Sequence, residues 1–222
     1  MRSFIQDLRE EAGAMHKVFW HFPLSGEALK DFVLLRGLVK DFLGEDLSIP
    51  TLDPHLTILY MGEVYEGDLP AIMEAGASAL ASMTGRPYFE GSEVSFFPIT
   101  DRSEGNQPIV LKVNGGVEDI HNRLLRALAP WVTKAQFLDF QMHITFGYLI
   151  GRKLTAEEYF QLRKMGPPHD INGPIQNVRL TAGKEFEKDF HLGPVPKKRA
   201  RRDGERAYPT GVSALSTPPS NG

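Results

Sequence analysis

The sequence predicts an α+β domain of two pseudo-symmetric lobes, and three observations lead there. Apolar residues alternate between period-two and helical spacing from about residue 17 to residue 182. One six-residue pattern occurs twice, 88 residues apart, and the composition changes after His191. Each lobe is expected as a small, mostly antiparallel sheet with outer helices, the two lobes meeting at a central cleft.

The elements follow in order. Ser3 to Met15 is amphipathic, and Lys17 to Pro23, rich in aromatic residues, reads as a first strand. Ser25 stands at a helix N-cap; Ala28, Phe32, Leu35, Val39 and Phe42 then recur at helical spacing until Gly44 stops them. His55 to Gly62 reads as a strand, and Leu69 to Met83 as a helix ended by Gly85. Tyr88 to Phe97 and Ile109 to Val113 form a strand pair across the polar loop TDRSEGNQP. Val117, Ile120, Leu124 and Leu128 mark a helix, and His143 to Ile150 a strand. Thr155 with Glu158 three residues on is a capping box, and Ile175 to Thr181 is the last clear strand.

The chain has 222 residues, 25 Lys+Arg against 28 Asp+Glu, and no cysteine. A disulfide framework, a cysteine-bound zinc or iron–sulfur site and a cysteine nucleophile are therefore excluded. Its apolar runs are too short for a membrane helix, and charges interrupt the N-terminal stretch where a signal peptide needs an apolar core. The expectation is a cytoplasmic monomer without membrane contact. Residues 193–222 hold six basic and two acidic residues and five prolines, which reads as a disordered basic tail, leaving residues 1–192 as the folded domain with a net charge of −7. An acidic body argues against a broad grip on long nucleic acid and for a small or local substrate; the KKRARR run reads first as a solvated tail, with a weak RNA contact or, in a eukaryote, a nuclear address as the alternatives.

The chemistry lies in the repeat. His55-Leu56-Thr57-Ile58-Leu59-Tyr60 and His143-Ile144-Thr145-Phe146-Gly147-Tyr148 share the pattern His, apolar, Thr, apolar, any, Tyr. In a strand, residues two apart share a face, so His55 with Thr57 and His143 with Thr145 are expected to line one cleft while Leu56, Ile58, Ile144 and Phe146 pack behind. Two imidazoles suit a displacement in which one removes a proton from the attacking oxygen and the other donates one to the leaving oxygen. Threonine hydroxyls suit the non-bridging oxygens of a phosphoryl group. No metal or other cofactor is needed, and Asp53 is the carboxylate at ligand-like spacing from His55.

The doubled motif resembles the two-histidine phosphoesterase superfamily, which includes 2′-5′ RNA ligase-like proteins, RNA cyclic phosphodiesterases and phage proteins that degrade cyclic oligonucleotide signals. The likeness spans about residues 17 to 182. It implies that His55 and His143 are the catalytic pair and that Thr57 and Thr145 bind phosphate, without saying which histidine is the base. The implied activity is a metal-independent phosphodiesterase acting on 2′,3′-cyclic phosphates or on 2′-5′ or 3′-5′ oligonucleotide linkages. The alternatives are RNA end processing or 2′-5′ ligation on long RNA, and a nucleotide-binding module without turnover.

Other candidates read as structural. His16, His21, His121, His169 and His191 are expected to be satisfied core or surface residues, with His21 on the first strand within reach of the cleft. Tyr60 and Tyr148 fall five residues after their histidines and, in unbulged strands, face away from them. Trp20, Phe96 and Phe97 read as packing rather than base-stacking residues, and Lys112, Arg102 and Arg123 as surface cations.

Overall fold

Nine strands in one sheet and four helices make up the described part of the computed structural model, which covers residues 13–85, 87–99, 104–133, 141–166 and 168–193. The N-terminal stretch before Gly13, Arg102 and the basic tail from residue 194 lie outside these residues. In chain order the elements are β1 (Met15–Pro23), α1 (Gly26–Leu43), β2 (Leu47–Ser48), β3 (His55–Tyr65), α2 (Leu69–Ala81), β4 (Tyr88–Phe96) and β5 (Gln107–Gly115). There follow α3 (Val117–Leu128), β6 (His143–Leu149), α4 (Ala156–Leu162), β7 (Asn172–Pro174), β8 (Asn177–Ala182) and β9 (Phe186–His191).

The spatial order is β7-β4-β5-β6-β3-β1-β8-β9, with β2 also paired to β6, and every pairing is antiparallel. The α+β class is as expected. The two expected small sheets are instead the halves of one sheet, joined where β3 pairs with β6.

Helices α1, α2 and α3 pack on one face of this sheet. Phe32 of α1 stacks on Phe146, centroids 4.8 Å apart and planes within 5°. Gly76 of α2 sits against the Trp20 indole so closely that a Cβ there would overlap the ring. On α3, Val117, Ile120, Leu124 and Leu128 are fully buried, the stripe that their spacing predicts.

Helix ends follow local chemistry. Gly44, at φ 70°, ends α1 in the left-handed region that side-chain-bearing residues rarely adopt. At α4 the Thr155 hydroxyl accepts from the Glu158 N–H at 3.1 Å while the Glu158 carboxylate accepts from the Thr155 N–H at 2.8 Å. Two details differ from expectation. The inner stripe of α1 ends on Leu43 and leaves Phe42 exposed; both follow Val39 at helical spacing, on opposite flanks of the stripe, and it is the Leu43 flank that is covered. Helix α2 ends at Ala81, short of Met83.

Strands β2, β7 and β9 were not expected. The first two are only two and three residues long. Half of strand β9 is charged, and cross-strand ion pairs tie it to its neighbour: Arg179 of β8 bonds Asp189 at 2.7 Å and Glu187 at 2.7 Å.

Candidate active site

Two core residues set the geometry. Leu56 and Ile144, both fully buried, form the cross-strand pair between β3 and β6. Their chain neighbours point to the face opposite the helices, and antiparallel register places His55 across from Thr145 and Thr57 across from His143. All four side chains are half-buried. The structure thus gathers the four predicted residues into two His–Thr cross-strand pairs at the centre of the sheet.

The two histidines are held alike. His55 Nδ1 donates to the carbonyl of Asp53 at 2.8 Å, and His143 Nδ1 to the carbonyl of Gln141 at 2.8 Å. A carbonyl only accepts, so each Nδ1 carries its proton and each neutral ring leaves Nε2 as a free base. Asp53 serves through its backbone rather than its carboxylate at this bond.

Burial pushes the pKa of both histidines below the ordinary imidazole value, partly offset by the bond at Nδ1. The positive form of His55 lowers His143 further. Like-charge repulsion of this kind disfavours the doubly protonated pair and widens the pH range in which one ring is acid and the other base.

His21, expected as a structural histidine on the first strand within reach of the cleft, is buried directly beside His55. Paired with Thr57 in the β1–β3 register, His21 is 6% exposed; its ring is edge-on to His55 with centroids 4.9 Å apart, and its Nε2 lies 2.9 Å from Thr181 Oγ1. Phe19 lies beside both rings, 4.9 Å from His21 and 5.8 Å from His55. The available signal was the period-two spacing of Phe19 and His21 against the buried Val18, Trp20 and Phe22.

The second half-sheet differs. Phe97, expected to serve only in packing, meets His143 edge-on at 4.6 Å, and Lys112 is the cross-strand partner of His143. The Lys112 ammonium bonds Glu93 at 2.8 Å, and Glu93 also holds Arg163 at 2.9 Å. Trp20 is core, as expected, and Arg123 pairs with Asp119 on its own helix. Phe96 meets Tyr159 edge-on at 5.1 Å.

The expectation that Tyr60 and Tyr148 face away is overturned by two β-bulges. Along β3, Thr57 pairs with His21 but Leu59 with Trp20, so Ile58 is extra. Along β6, Thr145 pairs with Val110 but Gly147 with Ile109, so Phe146 is extra. Ile58 with Leu59, and Phe146 with Gly147, are buried as adjacent pairs, and the next residue, tyrosine in both strands, returns half-buried to the His/Thr face. Both bulges are anchored. The Ile58 carbonyl accepts from His121 Nδ1 at 2.6 Å, and Gly147 lies so close to β2 that a Cβ would come within 2.6 Å of the Ser48 carbonyl.

Comparison with known proteins rests on the fold. No protein-family model and no curated protein matches the chain in sequence. Among solved structures it is similar to Escherichia coli LigT in apo form, 20% identical with a TM-score of 0.53 over 82% of this chain and 99% of that one. It is similar to Kluyveromyces marxianus Usb1, 11% identical with a TM-score of 0.53 over 82% and 100% of the two chains. It is also similar to TT0787 of Thermus thermophilus, 17% identical with a TM-score of 0.57 over 80% and 98%. All three are members of the two-histidine phosphoesterase superfamily.

The chain has the two-histidine phosphoesterase fold. In this fold the paired motif strands are the join of the two half-sheets, and the His/Thr face is the one that α1, α2 and α3 leave uncovered. A separate cavity of about 290 Å³, lined by Phe22, Ser25, Ala28, Phe89 and Asn172, includes none of the four motif side chains. Among the described residues no helix is long and apolar enough to cross a membrane.

Proposed function

We propose that the protein is a phosphodiesterase cleaving 2′,3′-cyclic phosphate or 2′-5′ or 3′-5′ oligonucleotide linkages by two-histidine acid/base catalysis. The observation that carries this reading is the matched support of His55 and His143. Each imidazole has Nδ1 fixed on the carbonyl two residues earlier, leaving Nε2 as the working atom, and each stands across the strand pair from a threonine.

In the mechanism, the neutral Nε2 of one histidine takes the proton of water or of a ribose 2′-hydroxyl as that oxygen attacks phosphorus. The Nε2–H of the other, protonated histidine goes to the departing ribose oxygen, so the pair ends with its proton exchanged. Thr57 and Thr145 donate to the non-bridging oxygens as charge grows on them. The two matched His–Thr pairs make the roles interchangeable, and the polarity of the bound substrate selects the base. Nucleotide chemistry is supported by the fold's other members: Escherichia coli LigT is known in complex with 3′-AMP, and Kluyveromyces marxianus Usb1 with uridine monophosphate.

The test is an assay in EDTA against nucleoside 2′,3′-cyclic phosphates, 2′-5′ and 3′-5′ dinucleotides, cyclic dinucleotides and short RNA with cyclic ends, beside the His55→Ala/His143→Ala double variant. Turnover that the variant lacks is the expected result. Binding without turnover would make the protein a nucleotide-binding module, and joined RNA ends would make it a ligase.

A further inference from the structure

We propose that Tyr60 and Tyr148 stand at the two ends of the His/Thr face and stack on the nucleosides either side of the reacting phosphate, so that the preferred substrate is an internal linkage rather than a mononucleoside cyclic phosphate. This deepens the phosphodiesterase reading and rests on it.

A bulge at one motif would be a local irregularity; here the same residue of both motifs, the first after the threonine, is the extra one. Its effect in each strand is to turn a tyrosine that alternation would hide onto the face that carries His and Thr. Each turn is held from behind, by the His121 bond to the Ile58 carbonyl and by the close approach of Gly147 to β2.

Antiparallel pairing then fixes where the two rings lie. Along β3 the order is His55, Thr57, Tyr60, and along β6, running the other way, His143, Thr145, Tyr148. Tyr60 therefore lies beyond His143, and Tyr148 beyond His55, at opposite ends of one stripe. Three two-residue steps separate them, roughly 20 Å along the strands. A phosphate held at the centre by the threonines is about 10 Å from each tyrosine Cα, within combined reach of one nucleoside and one phenol ring. A mononucleoside cyclic phosphate extends from the centre toward one end only, whereas a dinucleotide extends toward both.

The surroundings suit ring contact. Tyr60 is the cross-strand partner of Phe19, and Tyr148 that of Pro108, so each has an apolar neighbour on the same face. Burial pushes the Tyr148 pKa up, which keeps its hydroxyl protonated and its ring neutral. Aromatic rings stack on any base, so the site is expected to be tolerant of sequence.

The test compares wild type, Tyr60→Leu, Tyr148→Leu and Tyr148→Phe on adenosine 2′,3′-cyclic phosphate and on 2′-5′ and 3′-5′ linked diadenosine monophosphates, with thermal melting to confirm folding. Each leucine variant should raise KM for the preferred dinucleotide about 5- to 100-fold with kcat within a few-fold, while Tyr148→Phe stays near wild type because the ring is kept. At most one leucine variant should affect the cyclic mononucleotide. Unchanged dinucleotide KM in both leucine variants, or equal damage by both to the cyclic mononucleotide, overturns the inference. Kd for a fluorescent diadenosine monophosphate is measured in parallel in the His55→Ala/His143→Ala background. If wild type turns over nothing, the phosphodiesterase reading fails, and the tyrosine contacts are still decided by whether the leucine changes weaken that binding.

Discussion

His21 stands edge-on to His55 with ring centroids 4.9 Å apart, and its Nε2 is 2.9 Å from the Thr181 hydroxyl. Burial, followed by the positive charges of His55 and Arg179, pushes the His21 pKa down to about 3, with Asp189 opposing. An unfolded chain protonates this residue near 6.5, and the folded protein only near 3, so its contribution to stability is complete above 6.5 and is lost as pH falls between those values. The slope from this one group reaches about 1.4 kcal/mol per pH unit. Denaturant melts of wild type and His21→Gln at several pH values should show a shallower acid loss in the variant. Parallel curves would remove His21 as the source.

The pH dependence of turnover follows from the two motif histidines. Because burial lowers both, the free base is abundant at neutral pH and the imidazolium is the scarce form. The kcat/KM profile should be a bell with its maximum below the ordinary histidine value of about 6.5, falling as pH rises because the acid is lost. A maximum above about pH 7.5 would contradict this protonation scheme.

His55→Ala and His143→Ala should each lower kcat by about 10²- to 10⁴-fold. Full activity in either variant would end the two-histidine proposal.

Thr57→Ala and Thr145→Ala should each cost about 10²-fold in kcat if the hydroxyls act as donors to developing charge, and the serine variants should recover most of it. Serine variants as weak as the alanine ones would assign the threonines to packing through their methyl groups instead.

Removing the donor to the Ile58 carbonyl tests the bulge. His121→Leu leaves that buried carbonyl unpaired, at a cost of about 1–3 kcal/mol in a denaturant melt, and should raise the dinucleotide KM along with Tyr60→Leu. A stability loss with unchanged KM would mean that the bulge persists without its anchor.

The fold was legible where one residue pattern had one physical outcome. The spacing of Val117, Ile120, Leu124 and Leu128 left a helix as the way to bury four side chains together, and the Thr155–Glu158 pair fixed a helix start. Strand β9 was hidden because half of its residues are charged and its stability comes from Arg179 across the sheet, a contact between residues that local pattern does not relate. The tyrosines were misplaced for the related reason that a bulge is a property of two strands in register.

The sequence by itself determined the α+β class, the two motifs and the paired His and Thr positions within them, because alternation and repetition are written in one dimension. Tertiary structure decided which strands are neighbours, and with that came the His–Thr pairs flanking Leu56 and Ile144, the approach of His21 and Phe97 to the two motif histidines, and the return of Tyr60 and Tyr148 to the His/Thr face. Register is set by the burial of whole faces against helices distant in the chain, so it exists only once those faces have met.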